Sequence, residues 1–564
     1  MRILLLTHSF NSLAQRLHVE LSSRGHELSV EFDISAAVTE EAVALFRPHL
    51  VVAPYLRRAI PESVWSRVPC FVVHPGPPGD RGPSALDWAI QEGRASWGVT
   101  VLQAEAGMDA GPVWAHAEFP MRKAAKSSLY RFEVTEAAVQ AVLEAVVKQE
   151  RGGFTPTLPD RPESRPLMRQ PDRAFDWAQD STASILARIR AADGWPGVRS
   201  TLFGQPCHLF DAQPESVECL GRPGEAVARR GEALKVATRD GAVWIGQAKR
   251  PGGIKLPAAL AFAGHADRLP EAPPETGWWA ADAPTFQDIA YRESEGVGFL
   301  RFDGPGGALH TALCRRLLEA WNWAVQRPTK VLVLEGGTEF WCNGIHLNVI
   351  EAAPSPADES WANIQAVDDL AEAVLRADSK LTVAALGANA GAGGCFLARA
   401  ADEVWVREGV ILNPHYKNMG NLYGSEFWTC LLPPRVGAEG AAAIMRHRLP
   451  MGAREAVALG FYDAVLPAAR AAFTEAVAQR ATALAGESFA DRLRAKRLQR
   501  ERDEAAKPLA AWRAEELEHM RRNFYGFDPS YHVARSRFVA KDPHSWTPRH
   551  LAKHRELGWK TPDD

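Results

Sequence analysis

The sequence predicts an α/β fold class spread over more than one domain, with a small β-barrel between two α/β units. Three observations carry that expectation. Short apolar runs alternate with amphipathic stretches from residue 1 to about 150, two Pro-rich and poorly periodic connectors interrupt the chain, and a second series of strand-like runs begins at Val331. At 564 residues and 46% apolar content, the chain is too long for one core and apolar enough for several.

The runs ILLL, LVVAPYL, CFVVHPG and GVTVLQ read as buried strands, and Val134 to Gln149 as an amphipathic helix between them, the rhythm of a βαβ sheet. The connector from 152 to 173 is rich in Pro and Arg and reads as a linker laid over a surface. STASILARIRAADGW then reads as a helix. The Gly-punctuated strands up to about Phe262 suggest the barrel. A further Pro-rich stretch, 268 to 284, marks the next boundary. IAYRESEGVGFLRFDG reads as paired strands, and a helix-forming, densely charged tail begins near Asp491. The expected domains are therefore 1–160, 174–265, 285–490 and a helical extension over 491–564.

Charge and cysteine usage exclude several classes. The 65 basic and 68 acidic residues leave a net charge of −3, with no basic stripe, so nucleic acid is not an expected partner. The opening apolar run, Ile3 to Leu6, is too short for a signal segment, and no stretch reaches membrane-spanning length. The seven cysteines, mostly expected as small core residues, show no CxxC spacing. That pattern fits a reducing, cytoplasmic setting and argues against a zinc or disulfide framework, and no metal is expected.

The first chemical constellation is HPGPPGDRGPSALDWAI, which follows the strand-like CFVV. It puts His74 at the carboxyl end of a strand, where open α/β sheets place their chemistry. GVTVLQAEAGMDAGPVWA then supplies Asp109 in a connection between two strands. A carboxylate held beside a histidine fixes its tautomer and stabilises the imidazolium formed when a nucleophile loses its proton, as acyl transfer needs. Taken alone, His74 reads first as a satisfied loop histidine, and Asp109 equally as a turn residue. His8 either approaches this site or caps a helix.

With these residues on the page, the loop resembles the PxxRGxxPxxWAI loop of methionyl-tRNA and glycinamide-ribonucleotide formyltransferases, and MDAGP resembles their catalytic Asp loop. DWAQDSTASILARIRAADGWPG and GQAKRPGGIKLPA are similar to the C-terminal domain of methionyl-tRNA formyltransferase. The resemblance covers residues 1 to about 262. It implies a Rossmann-like formyltransferase domain, an OB-like barrel and 10-formyltetrahydrofolate as donor, with Arg81 and Gly82 of the loop as cofactor contacts. One departure stands out: where those enzymes carry Asn two residues before the His, this chain has Val72. Either another donor replaces that amide or the acceptor needs less electrophilic help, as a thiolate would.

The second constellation is a pair of Gly-rich strand-to-helix turns, in Val331 to Glu351 and in Leu381 to Val406. Two such turns can aim two backbone N–H groups at one carbonyl oxygen. In this order they resemble the crotonase (enoyl-CoA hydratase/isomerase) superfamily, a ββα spiral that holds acyl-CoA thioesters in such an oxyanion hole. The resemblance implies Ile345 and Gly393 as the donors. Where a hydratase places its two catalytic Glu residues, however, this chain has Phe396 and His415, so water addition is not expected. The polar candidates left are Tyr416 and Glu426, a pair able to handle one proton. The bland alternatives are a core aromatic and a helix N-terminal carboxylate.

Joined in one chain, the two halves resemble the HypX (HoxX) family, the carbon monoxide-supplying maturation factors of nickel-iron hydrogenases. ILLLTHSFNSLAQRL, VVHPGPPGDRGPSALDWAI and SYHVARSRFVAKDPHSWTPRHLAKHRE carry that resemblance. It implies formyl transfer from 10-formyltetrahydrofolate to coenzyme A, then decarbonylation of formyl-CoA. It also implies Gln15 and Arg131 as CoA contacts, against a surface salt bridge for Arg131, and hydrogenase maturation proteins or a hydrogenase precursor as partners. The competing expectations are an amine formyltransferase with a separate acyl-CoA isomerase half, and a non-catalytic docking module.

Overall fold

The computed structural model describes residues 1–216, 220–272 and 285–560; most of the second Pro-rich connector, and Cys219, lie outside the described residues. The chain divides into two compact units. One comprises Met1–Ala212, Thr238–Asp240 and Pro543–Asp564, the other Gln213–Ala237 and Gly241–Asp542.

The first unit is built on a six-stranded sheet, in spatial order Glu27–Phe32, Arg2–Thr7, Leu50–Tyr55, Cys70–His74, Ser96–Gln103 and Val113–Pro120. The first four strands run parallel and the last two join as antiparallel neighbours. The Arg2–Thr7 strand is buried at every residue, as its continuous apolar run requires of a strand covered on both faces. The helix Thr135–Arg151 buries an Ala/Val face that includes Ala138, Ala141, Val142 and Ala145. His74 ends the Cys70–His74 strand, and Asp109 lies in the connection between the two antiparallel strands.

Two sequence expectations change here. The 152–173 connector is not a surface strap throughout. Glu163–Ser164 pairs in parallel with Asp80–Arg81, and Arg165, Met168 and Arg173 are buried. Arginines carry no periodic apolar signal, yet these three residues fill space against the His74 loop and the Ala85–Gln91 helix. The residues after 491 also divide. The helices Phe489–Ala506, Leu509–Tyr525 and Ser530–Ala540 belong to the second unit, whereas 543–564 belongs to the first. There Glu31, fully buried, accepts from His554 at 3.0 Å, from Arg555 at 2.6 Å and from Thr547, which fixes the segment by polar contacts rather than by helical periodicity.

The strands between 198 and 257 are short and antiparallel: a Val198–Leu202/Gln205–Pro214 hairpin, an Ala226–Arg230/Ala233–Thr238 pair and a Gly241–Lys249/Lys255–Pro257 pair.

The second unit carries a sheet that opens with the hairpin Ile289–Ser294/Val297–Phe302. It continues in parallel through Val331–Glu335, Leu381–Leu386, Glu403–Arg407 and Ala464–Leu466. A second, four-stranded sheet runs Phe340–Cys342, Asn389–Gly391, Ile411–Asn413, Met451–Gly452. Successive turns of chain thus contribute one strand to each sheet before entering a helix. One core cluster holds Leu334, Trp341, Phe396, Val367 and Tyr416 together with Met520 and Phe524, so the Leu509–Tyr525 helix is part of this core. Among the described residues, no helix is long and apolar enough to cross a membrane.

Candidate active sites

In the first unit the His74 loop is pinned to its neighbouring strand. The Trp97 indole donates to the Pro75 carbonyl at 2.8 Å, and the Thr100 hydroxyl donates to the Gly76 carbonyl at 2.8 Å. His74, 3% exposed, is set between two carboxylates: Nε2 lies 2.8 Å from Asp80 Oδ2, and Nδ1 lies 3.4 Å from Asp109 Oδ2. Asp109, held at φ 50°, also accepts the Gly82 N–H at 3.1 Å. Behind Asp80 stands Arg165, its Nε 3.2 Å from Oδ1. Gly76 is required by the close approach, since a Cβ there would lie 2.5 Å from both Asp80 Oδ2 and His74 Nε2. An imidazole so framed can take a proton and have its positive charge stabilised from both sides.

The structure therefore brings His74, Asp109 and Gly82 together. Arg81 is in the same loop, its backbone paired with Ser164 and its buried Nε without a hydrogen-bond partner among the described residues. Gln15, on the helix Ser12–Ser22, donates from Nε2 to the Phe10 carbonyl at 2.8 Å. Arg131 lies in the wide turn Tyr130–Val134. Burial lowers the pKa of its guanidinium, and the charge of Asp193 opposes that shift. His8 caps no helix: Asn11 does so, accepting from Ala14, and His8 instead meets Asp33 at 2.8 Å. Asp80, six residues after His74, joins the site without a sequence signal of its own, because the Gly/Pro character of the loop masks it. Arg165 was hidden in the connector.

In the second unit the two Gly-rich turns adjoin: a Cβ built on Gly344 would lie 3.4 Å from the Gly393 nitrogen. Gly393 is the first residue of the helix Gly393–Arg399, where helical geometry supplies no acceptor for its N–H. Ile345 follows the Asn-Gly turn and bridges Leu309.

The Glu426 carboxylate sits against this corner. A Cβ on Gly393 would meet Glu426 Oε1 at 1.9 Å, so only glycine leaves room for it. The Tyr416 hydroxyl donates to Glu426 Oε2 at 2.6 Å, and the Ser425 N–H donates to the same oxygen at 3.2 Å. The Phe396 ring, standing where a hydratase would carry an acid, stacks on Tyr416 with centroids 5.9 Å apart. His415 is buried beside Tyr416. Glu426 itself is 1% exposed. Burial first, and the charge of Asp368 second, push its pKa above the usual carboxylate range. Burial likewise lifts the Tyr416 phenol far above its ordinary value, with the Glu426 charge adding to it. A buried carboxyl group poised in this way can exchange a proton near neutral pH.

Comparison with known proteins places three family models along the chain: Formyl transferase over residues 12–146, Formyl transferase, C-terminal domain over 167–266, and Enoyl-CoA hydratase/isomerase over 292–547. The chain is 54% identical over 561 residues to Hydrogenase maturation factor HoxX of Bradyrhizobium diazoefficiens, covering 98% of this chain and 97% of that protein. It is 29% identical over 225 residues to Methionyl-tRNA formyltransferase of Paraburkholderia phymatum, covering 38% of this chain and 68% of that one. Among solved structures it is similar to HypX from Aquifex aeolicus in complex with tetrahydrofolic acid. The identity is 46% and the TM-score 0.96, with 99% of this chain and 100% of that chain covered.

Proposed function

Because the chain belongs to the HypX/HoxX family of hydrogenase maturation factors, we propose that it supplies carbon monoxide, loading a formyl group onto coenzyme A at the His74 site and decarbonylating formyl-CoA at the Glu426 site. Tetrahydrofolic acid is the ligand of the Aquifex aeolicus structure, and the formyltransferase model spans the His74 loop; together they support 10-formyltetrahydrofolate as donor, with Arg81 and Gly82 beside it.

At the first site the thiol sulfur of coenzyme A attacks the formyl carbon while its proton passes to His74. Asp109 and Asp80 hold the imidazole and balance the charge it gains. The bond between the formyl carbon and folate nitrogen then breaks, and His74 returns the proton to that nitrogen. A thiol of pKa about 8.5 needs only modest base assistance, which agrees with Val72 standing where an amine formyltransferase carries Asn. Gln15 and Arg131 are assigned to the CoA.

At the second site the N–H groups of Ile345 and Gly393 polarise the formyl oxygen. The Glu426 carboxylate takes the formyl proton, the carbon–sulfur bond breaks, and carbon monoxide leaves. Tyr416 relays the proton to the departing thiolate, so formyl-CoA becomes carbon monoxide and CoA with no net oxidation or reduction. The observation that carries this reading is the Tyr416–Glu426 pair pressed against Gly393 in a site lacking both hydratase acids. We assign the reaction to the cytoplasm and the hydrogenase precursor or its maturation proteins as recipients of the gas. The test is formyl-CoA supplied alone: release of carbon monoxide and free CoA in equal amounts supports the reading, and hydrolysis to formate without carbon monoxide rejects it.

A further inference from the structure

We infer that Asp368 and Glu516 are positioning residues for Glu426, two buried carboxylates that clamp the turn 425–429 from opposite sides and hold the Glu426 carboxyl against Gly393. The inference deepens the decarbonylation reading and rests on it for its catalytic meaning. The turn is conformationally costly, since Glu426 and Phe427 both adopt left-handed backbone angles, φ 59° and 60°. Such a pair persists only where surrounding groups over-determine it.

Those groups are the two acids. Asp368, on the helix Pro356–Leu375, accepts the Glu426 N–H at 2.9 Å and the Ser425 hydroxyl at 2.6 Å on each oxygen. Glu516, on the helix Leu509–Tyr525, accepts the Phe427 N–H at 2.9 Å, the Thr429 N–H at 2.8 Å and the Thr429 hydroxyl at 2.5 Å. Every donor from 425 to 427, other than the Ser425 N–H that turns back to Glu426 itself, ends on one of them. Both acids are 1% exposed, Asp368 beside the buried Ile364, Ala371 and Leu375 and Glu516 beside Met520. A carboxylate is an expensive group to bury there unless its hydrogen bonds are needed.

The same placement sets the electrostatics of the site. Glu426 faces Tyr416 from its own loop, Asp368 from one helix and Glu516 from another, and the buried thiols of Cys314, Cys342 and Cys395 all feel its charge. Arg513 acts on Asp368 and pairs with Asp369 and Glu372. Asp368 thus presents a like charge that makes the Glu426 carboxylate a stronger base. The charges of Asp368 and Glu426 in turn raise the Glu516 carboxyl.

The experiment measures carbon monoxide release from supplied formyl-CoA across pH 5.5 to 9 for the full-length protein and for Asp368→Asn and Glu516→Gln. Both substitutions retain one accepting oxygen and remove the ionisable group. In parallel, the ionisation of Glu426 is followed by infrared carboxyl absorption, with Glu426→Gln as the blank. Losing the Asp368 charge should move the rising limb of kcat, and the infrared titration, to lower pH by about one unit. Glu516→Gln should move both the same way by less, with kcat falling and KM unchanged. Unshifted limbs and titrations in folded variants would overturn the inference, and if Asp368→Asn fails to fold, Glu516→Gln decides alone. A shifted infrared titration in a protein that releases no carbon monoxide would uphold the positioning role and sink the decarbonylation reading instead.

Discussion

The Tyr416 hydroxyl rests 2.6 Å from Oε2 of Glu426 while the opposite oxygen of that carboxylate touches the turn at Gly393. A proton acceptor and an oxyanion donor therefore share one corner. Glu426→Gln should lower carbon monoxide release by about 10²- to 10⁴-fold, the span of general acid–base catalysis, and leave formyl-CoA to accumulate. Tyr416→Phe should do the same more mildly. Chromatography of the thioester distinguishes this from a fault in the first reaction, and an unchanged rate in either variant would remove that residue from the mechanism.

Gly76 permits the approach of Asp80 to His74, and Gly393 permits that of Glu426 to the oxyanion hole. Gly76→Ala is expected to cut formyl transfer from the folate by about 10²-fold or more, because misplacing a catalytic group by about 1 Å costs that much. It should leave release of carbon monoxide from supplied formyl-CoA intact. Gly393→Ala should show the reverse pattern. Measuring the two half-reactions separately in both variants checks the assignment of each chemistry to its own unit.

A third expectation concerns pH and stability. Burial first and Asp368 second raise the Glu516 carboxyl from an ordinary value of 4.5 to about 8. The folded state then holds this proton more tightly than the unfolded chain does, so stability is full below the unfolded value and declines as pH rises toward 8. The unfolding temperature of the second unit should drop between pH 5 and 9, and Glu516→Gln should flatten that slope. An equally steep slope in the variant would mean that other groups set it.

In the first unit, Glu31 depends on donors from the far end of the chain. His554→Ala removes the 3.0 Å partner, and with it the Nδ1 contact to Ser29 at 2.6 Å. Leaving buried polar groups short of partners costs about 1–3 kcal/mol each. Urea unfolding should show a loss of that order, while decarbonylation of supplied formyl-CoA at moderate temperature stays near the parent rate.

The elements of the fold were legible wherever one short stretch carried the whole signal. ILLL and VLVLE are continuous apolar runs, and the His74 loop and MDAGP turn are contiguous motifs whose strands the sheet brings side by side. Groups that act across long separations left weaker traces. Arg165 reaches Asp80 over 85 positions and looked like linker. Asp368 and Glu516 did leave a sign, an acid on an apolar helical stripe. Asp368 falls among the buried Ile364, Val367, Ala371 and Leu375, and Glu516 shares its face with Leu509, Met520 and Phe524. A charge at such a position is costly unless it has work to do. The oxyanion donors are backbone groups, so sequence could place them only through glycine-rich turns, and the packing of Glu426 on Gly393 supplies the register.

The most direct test of the account combines the purified protein with 10-formyltetrahydrofolate and coenzyme A and follows carbon monoxide with a ferrous haem probe, alongside release of tetrahydrofolate. The account predicts one carbon monoxide per folate released, with coenzyme A regenerated and no signal when it is omitted. Folate turnover that yields a stable formyl thioester, a formylated amine or free formate, with no gas bound to the haem, would contradict it.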